Sequence, residues 1–191
     1  MVRAFLAIDL PQELKRNLFE LSKITVPESI KIKWVAEPNF HITLKFFGNI
    51  SEKILEKLFK KSQKVVENYP IFKLILTNVG FFPEKKTPRV VWIGLKTEDK
   101  TLFDLQGSLE KLFKKLKIGD SKDKFHPHIT LFRVKSPGNL EDFKNYLEKL
   151  SEKAKTLEGF TFKVEELTFF KSTLYPQGPL YEPLYKIRLK P

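Results

Sequence analysis

The sequence contains no cysteine among its 191 residues. Disulfide bonds, thiol nucleophiles and cysteine metal ligands are therefore excluded from its structure and chemistry. It also has no apolar run near the ~20 residues that a membrane-spanning helix requires. Its first residues lack the small-residue cleavage site of a signal peptide. We therefore expect a soluble, cytoplasmic protein with no membrane association.

The chain also lacks a Gly/Ser-rich or Pro-rich linker. Its length is short for two independent domains, so we expect residues 1–191 to form a single domain. Acidic residues are outnumbered by basic ones, which gives a formal net charge of +12. This charge suits an anionic partner such as RNA, DNA or a nucleotide. A lysine-coated surface that serves only solubility would give the same composition.

Histidine is scarce, with three residues, yet two of the three begin the same word, His-Ile-Thr-Leu. The first copy lies in FHITLKF, residues 40–46, and the second in FHPHITLFR, residues 125–133. Such a repeat is rare by chance in a chain of this composition. Either the repeat is structural, or the two histidines share a role.

Apolar patterning predicts alternating strands and helices. Helices are predicted at 11–24, 51–66, 100–117 and 139–153, with Ser51 as an N-cap. Strands are predicted at 3–10, 31–35, 40–50, 72–81, 89–95, 128–134, 160–171 and 184–189, and residues 172–183 as a Pro/Gly-rich loop. Each His-Ile-Thr-Leu strand precedes a helix and further strands. We therefore predict a bilobal α+β fold, with two pseudo-symmetric, antiparallel-rich sheets facing a central cleft and helices on the outer faces.

Side chains alternate between the two faces of a strand, so His41 and Thr43 share one face, as do His128 and Thr130. The intervening isoleucines and following leucines supply apolar packing on the other face. Near neutral pH one imidazole can be a general base while the other is a general acid. The threonine hydroxyls can hydrogen-bond a phosphoryl oxygen between them. This pair can support in-line displacement at phosphorus without a metal or another cofactor.

The histidines also allow other interpretations. One His-x-Thr on a strand is usually a structural residue, and the repetition argues against that here. His126 has no threonine two residues later, and we expect it only to shape the entry to its strand. A zinc site formed by His41, His126 and His128 is a weaker hypothesis, because no carboxylate is placed to complete it and the threonines would have no role.

Two HxTx words at this separation resemble the two-histidine phosphoesterase superfamily. Within it, the chain resembles the bacterial and archaeal RNA 2′,3′-cyclic phosphodiesterases, long called 2′-5′ RNA ligases. The resemblance runs almost end to end and in family order, through RAFLAIDLP, IKWVAEPNFHITLKFFGNI, PRVVWIGL, FHPHITLFR and STLYPQGPLYEPL.

The resemblance implies that both motifs face a central cleft and that the protein hydrolyses a 2′,3′-cyclic phosphate to a 2′-phosphate. Its partner would be RNA with a 2′,3′-cyclic phosphate end, or a cyclic nucleotide, and we expect a monomer. By motif, His41 is the proton donor and His128 the proton acceptor. Thr43 and Thr130 bind the phosphate, and Arg133 lies near it.

Arg133 has an odd offset from His128, so a regular strand would direct it to the opposite face. The strand must therefore end, twist or bulge before it. Phe46 has the same offset from His41, and we expect it to pack in the core. Trp92 is also expected in the core, although it and Arg89 could lie near the cleft, whose rim we expect at residues 172–181.

Two other functions remain open from the sequence. The same acid and base could join RNA ends through a 2′-5′ bond, although the chain has no nucleotide-binding lysine motif or phosphate loop for activation by ATP. A non-catalytic RNA- or nucleotide-binding module would use the same cleft, but binding alone would not require two titratable groups.

Overall fold

The computed structural model describes residues 1–119 and 123–191. Four α-helices and nine β-strands lie in these ranges. The helices are α1 Gln12–Glu20, α2 Glu52–Val66, α3 Thr101–Lys115 and α4 Leu140–Ala154. The strands are β1 Val2–Asp9, β2 Lys31–Trp34, β3 His41–Ile50, β4 Phe72–Phe82, β5 Val90–Thr97, β6 His128–Ser136, β7 Thr161–Val164, β8 Glu166–Tyr175 and β9 Gly178–Arg188.

The strands form two antiparallel sheets. The first has the order β3-β1-β8-β9 and the second has the order β2-β6-β5-β4-β7. The two halves of the sequence do not each form one sheet. The early strand β2 joins the second sheet, and the late strands β8 and β9 join the first. β3 and β6, which carry the two histidine words, contact each other where the sheets meet. The predicted α+β fold with two antiparallel sheets is confirmed.

Apolar side chains explain why these elements assemble as they do. One large cluster contains buried residues from both sheets and all four helices. In α2 the buried positions Leu55, Leu58 and Val66 lie on one helix face. The predicted N-cap is confirmed, since Ser51 Oγ accepts a hydrogen bond of 3.2 Å from the Ile54 amide.

Two predictions near the C-terminus are wrong. The predicted strand at 160–171 is divided at Glu165, because β7 pairs with β4 in the second sheet while β8 pairs with β1 in the first. The predicted loop at 172–183 is a β-hairpin, in which Tyr175 and Gly178 pair across a two-residue turn. Its proline and glycine content is typical of loops, but the prolines lie at the turn and on an edge strand, where they are tolerated.

A second, smaller apolar cluster lies on the opposite face of the first sheet. It contains Phe5, Ala7 and Phe170, with Tyr181 packed against them. Phe5 lies 5.1 Å from His41 between ring centroids, so this cluster is on the sheet face that carries that histidine. Among the described residues, no helix is both long and apolar enough to cross a membrane.

Candidate active site

The two histidine words occupy matching positions in the two sheets. In the first sheet His41 and Thr43 of β3 lie opposite Asp9 and Ala7 of β1. In the second sheet His128 and Thr130 of β6 lie opposite Gly94 and Trp92 of β5. Each histidine therefore shares a face with its threonine, as strand alternation predicts.

A β-bulge follows each threonine and changes which residues share that face. In β6 the extra residue is Leu131, because Thr130 pairs with Trp92 and Phe132 pairs with Val91. Arg133 then pairs with Val90, which shares a face with Trp92. The bulge therefore brings Arg133 to the face of the second histidine, although its offset is odd.

The same bulge in β3 overturns the expectation that Phe46 packs in the core. Leu44 is the extra residue there, and Phe46 pairs with Phe5 on the face of His41. The Phe46 side chain is 63% exposed, and its ring centroid lies 5.7 Å from that of Phe5. The sequence pattern alone could not reveal this, because a bulge reverses the alternation without changing composition.

A backbone carbonyl orients each imidazole ring. His41 Nδ1 lies 2.7 Å from the Asn39 carbonyl oxygen, and His128 Nδ1 lies 2.7 Å from the His126 carbonyl oxygen. A carbonyl can only accept, so Nδ1 carries the hydrogen in both rings. The neutral rings therefore keep the Nε2 lone pair for chemistry.

The two Nε2 atoms differ in their contacts. His41 Nε2 lies 2.8 Å from Thr43 Oγ1. The hydroxyl donates to the neutral ring and accepts from the protonated ring. Among the described residues, no hydrogen bond joins His128 to Thr130, so the second threonine is left for another partner.

Burial is the largest influence on both histidines. It lowers the pKa of His41 below its ordinary value, while the Asn39 carbonyl and Asp9 oppose this effect. It also lowers the pKa of His128, while the hydrogen bond to the His126 carbonyl opposes it and nearby His126 and Arg133 add to the lowering. A positive charge on His128 also lowers the pKa of His41, so the two rings share one electrostatic environment.

Aromatic rings enclose the second histidine. Trp92 is only 8% exposed, as expected for a core residue, but its ring centroid lies 6.0 Å from that of His128 and 4.8 Å from that of His126. The indole covers Gly80, where an added Cβ would lie 2.2 Å from it. A side chain at this position would therefore displace the indole. His126 packs against this wall, and Arg89 is exposed just before β5.

Tyr181 lies beside His41, a position that the sequence pattern does not predict, although residues 172–181 were predicted as the rim. Its ring centroid lies 5.3 Å from that of His41 and 4.9 Å from that of Phe5. Burial raises the pKa of Tyr181, and nearby Arg133 and Arg3 oppose this effect. The sequence around Tyr181 reads as a loop, because its strand is defined only by pairing with β8.

The zinc hypothesis receives no support from the geometry. Within residues 1–119 and 123–191, the side chains of His, Asp and Glu form no group of three or more that could hold a metal ion. The three histidines therefore do not combine into such a ligand set.

Two antiparallel sheets, each presenting a His-x-Thr pair at the place where they meet, define a two-histidine phosphoesterase. The family model described as LigT like Phosphoesterase matches residues 8–92 and again residues 93–181. Each match contains one histidine word, in agreement with the repeat. The chain belongs to this LigT-like phosphoesterase family.

Known proteins resemble the chain along nearly its whole length. An RNA 2′,3′-cyclic phosphodiesterase of Methanothermobacter thermautotrophicus is 32% identical over 98% of this chain and 99% of the relative. The crystal structure of TT0787 of Thermus thermophilus has a TM-score of 0.76 and 27% identity over 98% of both chains. That of E. coli LigT complexed with 3′-AMP has a TM-score of 0.75 and 28% identity, again over 98% of both chains.

Proposed function

We propose that the protein hydrolyses 2′,3′-cyclic phosphate ends of RNA, or of nucleotides, to 2′-phosphomonoesters. The observation that carries the proposal is the pair of imidazoles, each with Nδ1 bound to a backbone carbonyl and Nε2 available for proton transfer. The RNA 2′,3′-cyclic phosphodiesterase among its relatives and the 3′-AMP complex of E. coli LigT support this substrate class.

In the proposed reaction His128 is the base and His41 the acid. His128 Nε2 takes a proton from water as the water oxygen bonds to phosphorus. The bond from phosphorus to the 3′ oxygen breaks, and His41 Nε2 gives that oxygen a proton. The products are a 3′ hydroxyl and a 2′-phosphate. The surroundings of His128 favour its neutral form, as a base requires.

We assign the cyclic phosphate to Thr43, Thr130 and Arg133. Hydroxyl donors and a guanidinium on the same strand faces suit the three oxygens and the charge that develops during displacement. Thr43 lies within hydrogen-bond distance of the proposed acid, His41. It can therefore hold the phosphate and the proton donor together.

The test is incubation with a 2′,3′-cyclic mononucleotide and chromatography against authentic 2′- and 3′-monophosphates. We expect the 2′-phosphate as the main product. A predominant 3′-phosphate would mean that the acid and base are exchanged or that the substrate binds reversed. Binding without turnover would favour a non-catalytic module.

The ligase alternative and the oligomeric state each need a separate test. Ligation through a 2′-5′ bond would use the same acid and base, with a 5′ hydroxyl in place of water attacking phosphorus while the bond to the 3′ oxygen breaks. Incubation of RNA that ends in a 2′,3′-cyclic phosphate with RNA that begins with a 5′ hydroxyl therefore tests the ligase alternative. We propose that residues 1–191 act as one bilobal catalytic domain and as a monomer. Gel filtration of the active protein tests the monomer.

A further inference from the structure

The two histidines have different neighbours at one matching position. Asp9 lies opposite His41 across the β1–β3 pairing, whereas Gly94 lies opposite His128 across the β5–β6 pairing. The first histidine therefore has a carboxylate at a position where the second has no side chain. An added Cβ at Gly94 would lie 2.5 Å from Thr77 Oγ1, so the second sheet has no space for a carboxylate there.

Asp9 is held in place by two further contacts. Its Oδ1 accepts a hydrogen bond from the Leu10 amide at 2.9 Å and lies 2.8 Å from Lys15 Nζ. Lys15 is 4% exposed, which is unusual for a lysine, and its ammonium also donates to the Pro38 carbonyl at 3.0 Å.

These contacts connect the carboxylate with the segment that orients His41. Pro38 precedes Asn39, whose carbonyl accepts from His41 Nδ1. The Asn39 side chain donates to the Pro179 carbonyl in the β8–β9 hairpin at 2.8 Å. Lys15 therefore joins the Asp9 charge to the backbone that fixes the ring.

We propose that Asp9, held by Lys15, is a positioning residue that makes His41 rather than His128 the proton donor. This inference rests on the proposed function. It adds a reason, within the chain itself, for the direction of proton transfer between two otherwise similar sites.

Charge balance explains the need for such a residue. His41 is packed among Phe5, Tyr181 and Thr43, and burial disfavours its protonated form. The charged groups that influence it are Asp9 on β1, Lys15 on α1 and His128 on β6, and Asp9 is the one that raises its pKa. Asp9 therefore adds to the Asn39 carbonyl in favouring the protonated form that a proton donor needs.

At the second site the charged groups that influence the histidine are all basic. His126 and Arg133 are the charged groups that influence His128, and both lower its pKa. With Gly94 opposite, His128 has no carboxylate at the position that Asp9 occupies in the first sheet. Its neutral form is favoured, as a base requires.

The experiment is an NMR pH titration of the histidine rings in the intact protein, compared for wild type, Asp9→Asn and Lys15→Met. Asn can keep both contacts of Asp9 while losing the charge, so the pKa of His41 should fall and that of His128 should stay. Lys15→Met should raise the pKa of His41, because it removes a nearby cation.

The two variants should shift the pKa of His41 in opposite directions, which distinguishes an electrostatic effect from structural damage. Loosening of residues 37–39 would expose His41 and raise its pKa in both variants. Glu182→Gln is the matched control, because it removes an exposed carboxylate from the first sheet at a position next to Tyr181 whose side chain points to the opposite face. A fall in Asp9→Asn that is absent from the control supports the inference.

An unchanged or raised pKa of His41 in Asp9→Asn, or an equal shift of His128, would overturn it. A kinetic profile supplies the second measurement, since the limb of kcat/KM that belongs to His41 should move to lower pH in Asp9→Asn. The titration needs no substrate, so the effect of Asp9 on the pKa of His41 is tested separately from hydrolysis. Failure of wild type to hydrolyse a cyclic phosphate would overturn the proposed function and leave that effect in place.

Discussion

At the scale of single residues, substitution of each histidine by alanine distinguishes a role in proton transfer from a structural role. His41→Ala and His128→Ala should each lower turnover of a 2′,3′-cyclic nucleotide by about 10²–10⁴-fold, the usual contribution of a general acid or base. His126→Ala should have a much milder effect, because the backbone carbonyl that holds the His128 ring is kept and the lost side chain influences only the pKa of His128. Circular dichroism should show all three folded. Near-normal turnover by either of the first two variants would contradict the paired mechanism.

The pH dependence of activity follows from the burial of both histidines. The base must be neutral and the acid protonated, so activity falls as pH drops through one pKa and as it rises through the other. Burial lowers the pKa of both His41 and His128 below the ordinary value of about 6.5. The optimum of kcat/KM should therefore lie on the acid side of about pH 6.5. An optimum well above neutrality would be inconsistent with these environments.

Arg133 offers a test of the bulge as well as of phosphate binding. Arg133→Ala should lower kcat/KM by about 10²–10³-fold, as for the loss of one transition-state donor. Arg133→Lys should recover only part, because an ammonium lacks the planar fork of a guanidinium. Arg188→Ala, at the far end of β9 from the hairpin turn, is the control and should leave kcat/KM unchanged. Equal effects at both positions would mean that only general charge matters.

At the scale of elements, the sequence predicted what depends on local pattern and missed what depends on a partner strand. The α2 cap at Ser51 and the common face of each histidine and threonine follow from local rules. The bulge residue Leu131 does not, because it is defined only by the pairing of β6 with β5. The break at Glu165 likewise arises because the two flanking strands join different sheets.

A buried ion pair connects β3, which carries His41, to helix α3. Lys45 in β3 and Glu110 in α3 lie 2.8 Å apart, and their side chains are 5% and 15% exposed. Glu110→Gln should lower the free energy of unfolding by about 3 kcal/mol, because it removes the counter-charge that the described residues place beside this buried ammonium. Urea unfolding measures this. Glu56→Gln breaks the exposed pair with Lys60 and should change stability little. Similar small changes in both variants would show that the buried pair is dispensable.

At the scale of the whole molecule, two copies of one strand motif give a site whose halves are not equivalent. The repeat was visible in the sequence because each copy keeps the same four residues. The differences to which we attribute the proposed roles were not visible, because Asp9 and Gly94 are matched only through pairing in separate sheets. Phe46 and Arg133 likewise occupy equivalent positions only because a bulge brings each of them to the face of its histidine. The repeat thus builds the pair of His-x-Thr strands, and we propose that departures from symmetry direct the reaction.

The net charge of +12 is also a property of the whole molecule, and salt can test its purpose. If basic residues hold the RNA strand, its affinity should fall with ionic strength by a slope of about −0.7 for each phosphate contacted, while a cyclic mononucleotide should show a shallow slope. Lys33 is a basic residue placed beside the proposed site, because it pairs with Arg133 across β2 and β6. The Lys33 ammonium is also close to the β8–β9 hairpin, since its Nζ would lie 3.9 Å from a Cβ added at Gly178. Lys33→Gln should therefore reduce the RNA slope by about one contact, whereas Lys57→Gln on exposed α2 should not. Fluorescence anisotropy at several salt concentrations measures both slopes, and equal slopes for RNA and mononucleotide would mean that the charge serves solubility alone.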